Sequence, residues 1–280
     1  MRALYICYFG INENLVQTQV LPYLKELARH GHEMHLVTFE PRYSSSWTRE
    51  AISNLRQQLE SKGISWTPLA YHKSPTLPAT LFDICAGLLF IWRLNRQRPL
   101  DILHARSHIP MIMALLARYL TGSAVIFDIR GLIADEYVDA GVWQPASPVY
   151  RGMKYFEALG IRRADRLIVL TKRMKDFIID HYHRPEGQIS VIPCCIDPQR
   201  FIAQTVGASA LSTFEIVYAG SVTGLYLLEE MGRFFLAVLD LVPKATLRIL
   251  TSTPPEEATA KLCRLGIDPS RFNIQSVSPD

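Results

Sequence analysis

Cysteine is scarce and unpatterned in this chain of 280 residues. The five cysteines, Cys7, Cys85, Cys194, Cys195 and Cys263, are odd in number, and no CxxC pair or nearby histidine stands at ligand spacing. This argues against a disulfide framework or a zinc knuckle and suits a reducing cytosol. No metal cofactor is expected. Charge is also thin, with 20% of residues charged and a net +4. So mild an excess is not the basic stripe of a nucleic-acid binder, but it suits an anionic substrate or membrane surface. No cleavage pattern follows the short apolar run at residues 3–9, so no signal peptide is read. The most apolar long stretch, residues 81–94, has an uncharged core bounded by Asp83 and Arg93. That core falls short of the ~20 residues that span a bilayer.

What is present is alternation. Short apolar runs read as buried strands at residues 3–9, 32–39, 64–69, 100–105, 124–127, 166–170 and 189–192. Helical periodicity lies between most of them. Val16, Val20, Leu24 and Leu27 share one face, with Pro22 predicting a kink or a late start and Gly31 the C-cap. Residues 72–78, with two prolines, read as a loop. Residues 80–95 then read as a broad apolar helix with a basic end at Arg93, Arg96 and Arg98. A buried helix with a solvated tail explains it, and peripheral membrane contact is the alternative. Thr171 stands as the N-cap of a helix carrying Met174, Phe177 and Ile178.

Strand–helix alternation this regular predicts an α/β, doubly wound parallel sheet. Periodicity lapses across residues 193–213, which predicts a domain boundary there. The domains are then 1–192, a linker 193–213, and 214–280. The last stretch shows strands at 214–219, 245–250 and 272–277, and a helix face with Met231, Phe234, Phe235 and Val238. Thr253-Pro254-Pro255-Glu256 reads as a capping box opening a second helix. A doubly wound domain normally has five or six strands, so this second one reads as incomplete and open to self-association.

The chemistry concentrates in FDIRGLIADEY, residues 127–137. An apolar strand ends there in Asp128, Arg130, Gly131, Asp135 and Glu136. Ligands of open α/β sheets bind beyond the carboxyl ends of the strands, so these are candidate site residues. An internally paired Asp–Arg turn is the plain alternative. Arg106, with His104 and His108, ends another strand, and Gly10 permits a close backbone approach after the first.

Several segments in order carry a family likeness: the strand and Gly10 turn, ELARHGHEMHLVTFE, PLDILHARS, EALGIRRADRLIVLTKRMKDFI and ISVIPCCIDPQRF. Together they resemble the N-terminal domain and linker of retaining GT-B glycosyltransferases of the family-4 type. Residues 214–277 resemble the start of their C-terminal domain. The resemblance implies two Rossmann-like domains and a nucleotide-diphosphate sugar donor. It also implies a glycan or lipid-linked acceptor, no metal, and a cytoplasmic protein, at most peripheral to the inner face of the membrane. It places Gly10 near the donor phosphates, and Gly220, Ser221 and Thr223 in a donor-phosphate loop. A glycine-rich strand-to-helix turn suits that task physically, because it offers N–H groups to an anion.

The chain also departs from the family. Ser221 and Leu225 or Tyr226 stand where members often carry Arg and Lys. Cys194-Cys195 replaces the usual Asn-Gly after VIP, and the family's two spaced glutamates have no counterpart. By charge type, Arg106 and Arg130 are the candidates to neutralise a diphosphate. Asp128, Asp135 and Glu136 are the candidates to position or deprotonate an acceptor. A non-catalytic two-lobed binding or regulatory protein and a nucleotide-sugar epimerase of the same fold are the competing readings.

Overall fold

The computed structural model describes residues 1–41, 47–195, 214–223 and 226–277. The chain divides into two compact units, Met1–Ile196 and Asp197–Asp280. Most of the linker expected at residues 193–213 lies outside the described residues.

The first unit opens with β1 (Arg2–Cys7). A π-helical turn (Val16–Val20) leads into α1 (Leu21–Arg29). Pro22 lies in a helical run unbroken from residue 14 to 29 and cannot donate an i→i−4 bond; the π turn directly before it is where the helix accommodates the proline. Next come β2 (Glu33–Pro41), α2 (Arg49–Glu60), β3 (Ile64–Tyr71) and α3 (Thr76–Gln97). β4 (Ile102–Arg106), α4 (His108–Thr121) and β5 (Ala124–Ile129) follow. The unit ends with α5 (Ile133–Asp139), α6 (Pro148–Arg163), β6 (Arg166–Val169), α7 (Lys172–Tyr182) and β7 (Ile189–Val191).

The seven strands form one parallel sheet in the order β3-β2-β1-β4-β5-β6-β7. The winding reverses between β1 and β4, which places a ligand crevice beyond their carboxyl ends. Both faces of the sheet are covered. Leu4 and Ile6 of β1 join a core with Phe39, Leu103, Met111 and Phe127 on one side. Ala3, Tyr5 and Cys7 join Leu24, Leu36 and Trp66 on the other. The two-residue period of a strand does this sorting, and burial on both faces explains why the strands read as continuous apolar runs.

α4 packs closely between two neighbours through glycines. A Cβ on Gly160 of α6 would meet Met111 Sδ at 2.6 Å, and one on Gly87 of α3 would meet Met113 Sδ at 2.8 Å. The missing side chains therefore set how near these helices approach.

Three sequence expectations need correction. α3 starts at Thr76, so Pro78 lies in its first turn and not in a loop. The first N–H groups of a helix have no intrahelical acceptor, so proline costs little there. α3 also runs 22 residues, longer than its charges suggested, and is long and apolar enough to cross a membrane by length and composition. It packs instead along one side, with Ala79, Ile84, Gly87 and Ile91 buried. Its Asp83 is buried too and accepts from Tyr8 Oη at 2.7 Å. The charged stretch after β5 is a helix, α5, with Asp135 and Glu136 in its first turn, where carboxylates offset the helix dipole.

The second unit contains β8 (Glu215–Ala219), α8 (Leu228–Leu241), β9 (Thr246–Thr251), α9 (Pro255–Arg264) and β10 (Phe272–Ser276). Its strands are parallel in the order β10-β9-β8. Phe235, Leu247, Ile249 and Leu262 form its core, while Phe234 remains 61% exposed. Pro255 is the first helical residue of α9, as expected, but no side chain caps that helix, so the capping box at Thr253 does not form.

Candidate active site

The strand ends at the winding reversal bring two arginines together. Arg106 is the last residue of β4, and its register partner on β5 is Asp128. Arg130 lies one residue beyond β5. Arg106 Nη2 and Arg130 Nη2 both donate to Gln19 Oε1, at 2.8 and 2.7 Å. Gln19 comes from the π-helical turn that follows the Gly10 loop. Both guanidinium groups also face Asp128, Arg130 Nη1 at 3.3 Å and Arg106 Nη1 at 3.7 Å.

Asp128 itself is buried. Burial opposes its ionisation, but His104, Arg130 and Arg106 outweigh burial and hold the carboxyl below its ordinary range. It therefore stays charged. Tyr5 Oη donates to it at 3.3 Å. His104 Nε2 stands 3.8 Å away, too distant to hydrogen-bond, and is left with no hydrogen-bond partner. Arg106 Nε is likewise buried and unpartnered. Unpaired polar groups buried like this are costly unless a water or ligand meets them.

Ser107 separates this cluster from α4 and carries φ 72° with ψ −173°. That region is otherwise almost confined to glycine. Its N–H donates to the Asp128 carbonyl at 3.0 Å, which holds the strained turn in place.

Gly10 allows a close approach, but by a side chain. A Cβ there would meet Glu40 Oε2 at 2.9 Å. Glu40 Oε1 accepts from the Ile11 N–H at 2.8 Å and from Thr38 Oγ1 at 2.5 Å. The N–H that a phosphate would use at this turn is thus occupied. Burial raises the Glu40 carboxyl above its ordinary value, against the pull of those two hydrogen bonds.

Asp135 and Glu136 lie apart from the arginines. Asp135 accepts from Tyr150 Oη at 2.9 Å and pairs with Lys154 Nζ at 2.8 Å. Lys154 also pairs with the buried Glu157, which reaches His108 Nε2 at 3.2 Å. Glu136 is exposed and folds its carboxylate over Gly131. Among the described residues, no hydrogen bond or ion pair joins Asp135 or Glu136 to Asp128 or Arg130.

In the second unit the Gly220 turn is organised from within. Tyr218 Oη donates to the Ser221 carbonyl at 2.7 Å, and the Thr223 N–H donates to Ser221 Oγ at 3.3 Å. The helix that follows, α8, begins with Glu229 and Glu230 in its first turn. These suit the helix dipole but repel an anion, so among its described residues the turn offers a phosphate backbone N–H groups and no cation. Gly224 lies outside the described residues.

Sequence reasoning singled out Arg106, Asp128 and Arg130 but missed Gln19, Glu40 and Ser107. A local signal existed for none of the three, since a glutamine, a strand-end glutamate and a serine are ordinary in sequence. Their roles depend on the winding of the sheet. Among the described residues, no three His, Cys, Asp or Glu side chains converge as metal ligands would.

A family model described as Glycosyltransferase Family 4 matches residues 16–200. No curated protein matches the sequence. Among solved structures, the chain is similar to HepE of Anabaena in complex with UDP-glucose, at 11% identity and a TM-score of 0.60, covering 98% of this chain and 68% of that one. It is similar to sucrose-phosphate synthase of Thermosynechococcus elongatus, at 12% identity and a TM-score of 0.61, covering 98% and 70%. It is also similar to a Listeria monocytogenes protein assigned as a UDP-N-acetylglucosamine 2-epimerase, at 12% identity and a TM-score of 0.57, covering 99% and 69%. The chain thus spans a little over two thirds of the length of each. Identities this low speak to the fold, which is of the GT-B kind with Rossmann-like units. The family match extends over most of the first unit, including the arginine cluster at the strand ends, and on that ground the chain belongs to glycosyltransferase family 4.

Proposed function

We propose that the protein transfers a sugar from a nucleotide-diphosphate sugar to a hydroxyl of a glycan or lipid-linked acceptor, with retention at the anomeric carbon. One observation carries the reading. Arg106 and Arg130 converge at the carboxyl ends of β4 and β5 and, among the described residues, pair with one carboxylate, Asp128. Breaking the bond between the sugar and the diphosphate sends an electron pair onto the leaving phosphate, and preformed cations are what that step needs. A relative solved with UDP-glucose supports the donor class.

In this reading Arg130, the more exposed of the pair, contacts the diphosphate. Arg106 adds charge from behind it. Asp128 is too buried to meet an acceptor, and it positions both guanidinium groups. Retention has the acceptor oxygen bond to the sugar on the side the diphosphate leaves, so the hydroxyl's proton passes to the departing phosphate. Glu136 positions that hydroxyl. It is exposed, whereas Asp135 is held by Lys154 and Tyr150.

The test is nucleotide release from a panel of nucleotide-diphosphate sugars, with the anomer of each product read by NMR. Release with a retained anomer supports the proposal. Binding without release would make the protein a sugar-nucleotide binder, an inverted anomer would remove retention, and an epimerised free nucleotide sugar would make it an epimerase.

A further inference from the structure

A second polar cluster lies at the carboxyl edge of the same sheet, on the other side of β1 from the arginines. Tyr8 and His72 are the first residues beyond the ends of β1 and β3. Asp83, from α3, ties the two together. Its side chain is fully buried and accepts three hydrogen bonds. They come from Tyr8 Oη at 2.7 Å, the His72 backbone N–H at 3.1 Å and His72 Nδ1 at 2.5 Å.

Stability alone does not ask for this arrangement. Exchanging a buried ionic pair for apolar side chains of like size is often neutral or stabilising. The neighbouring inner positions of α3, Ala79, Ile84 and Gly87, are already apolar and buried. What the cluster supplies is a fixed imidazole. His72 Nδ1 faces a carboxylate and so carries a proton, and in the neutral ring Nε2 is then the acceptor. The His72 N–H is bound to the same carboxyl group, which limits the ring further.

The fixed ring has an aromatic neighbour. The His72 side chain is 23% exposed, and Phe82 is 60% exposed. Their rings stand edge to face, with centroids 4.9 Å and planes 82° apart. An oriented acceptor atom beside an exposed aromatic ring matches the two chemistries of a sugar. A hydroxyl donates to the first, and the C–H face of the sugar packs on the second.

We propose that His72 and Phe82 form an outlying acceptor subsite for a sugar ring, so that the acceptor is an oligosaccharide of at least two residues. The inference rests on the glycan-acceptor reading above. β3 and β5 are four strand positions apart in the sheet, roughly 19 Å. A ring seated at His72 does not also reach the end of β5, where Arg130 stands, so a second ring carries the reacting hydroxyl there. Asp83 and Tyr8 position His72 and do not touch the sugar.

Saturation-transfer NMR of the full chain with glucose, maltose, cellobiose and lactose tests this. At least one disaccharide should bind more tightly than glucose. His72→Asn keeps an N–H where Nδ1 met Asp83 and removes the Nε2 end of the ring. It should melt with the parent and bind that disaccharide about fivefold more weakly, the equivalent of one hydrogen bond. Phe82→Ala, at an exposed position, should lose about fivefold as well, and it decides the matter if His72→Asn misfolds. No disaccharide bound, glucose bound as tightly as every disaccharide, or binding unchanged in the variants would overturn the subsite. Nucleotide release from donor sugars is measured separately, because binding at His72 needs no donor. Release without disaccharide binding would overturn the subsite and leave the transfer reading standing. Disaccharide bound through His72 without release would support the subsite and remove the transfer reading.

Discussion

Arg106 and Arg130 share a single acceptor, Gln19 Oε1, at 2.8 and 2.7 Å. Two like charges on one neutral oxygen, with one carboxylate between them, leave surplus positive charge at the strand ends. An anion that enters this crevice relieves a repulsion already built into the fold.

Gln19→Glu would place a second carboxylate at that acceptor. The charges would then balance without a ligand, and two bonds to a neutral oxygen would become bonds to a carboxylate. The melting temperature should rise, while affinity for a nucleoside diphosphate should fall about tenfold or more, the equivalent of one charge-assisted contact. Calorimetric titration beside a melting curve reads both. Tighter nucleotide binding by this variant would mean that the arginines do not form the anion site.

Ser107 gives a second test. At φ 72° and ψ −173° it occupies backbone space that costs about 1–3 kcal/mol for a residue with a side chain. Glycine removes that strain but loses about 0.5–1 kcal/mol to greater freedom in the unfolded chain. Ser107→Gly should therefore gain roughly 1 kcal/mol in denaturant unfolding. A clear loss would show that the hydroxyl has a role that outweighs the strain.

Glu40 makes stability depend on pH in a defined direction. The residue is 6% exposed, and burial raises the folded value of its carboxyl above the ordinary 4.5. A raised carboxyl favours the protonated fold. The stability linked to it is complete below pH 4.5 and is lost as pH rises through the folded value. Glu40→Gln mimics the protonated form and keeps an oxygen for the Ile11 N–H and Thr38. It should match the parent near pH 4 and melt at a higher temperature than the parent at about pH 7. A variant less stable than the parent at neutral pH would contradict the sign.

The strands were legible because both faces of the sheet are covered, which turns each into an unbroken apolar run. Thr171 was legible as a cap because its Oγ1 does accept from the Met174 N–H, at 3.1 Å. Pro78 misled because proline in a first helical turn is indistinguishable by composition from proline in a loop. α5 was missed because a short helix with two carboxylates at its start resembles a polar turn. Of the candidate site, Arg106, Asp128 and Arg130 could be marked by their place after apolar runs. That Gln19 joins the two arginines could not be read, because 87 residues separate it from one and 111 from the other. Only the return of the chain at β1 and β4 brings them together.

The central claim is that Arg130 serves a ligand and not the fold. Arg130→Ala leaves Asp128 paired with Arg106 and hydrogen-bonded to Tyr5. The melting temperature should therefore move little. Affinity for a nucleotide-diphosphate sugar that the parent binds should drop by about 1.5–3 kcal/mol, the worth of a charge-assisted contact to phosphate. Calorimetric titration of parent and variant, with melting curves on the same samples, gives both numbers. Weakened binding at unchanged stability is the result this account predicts; unchanged affinity with a lowered melting temperature would contradict it and make Arg130 a structural partner of Asp128.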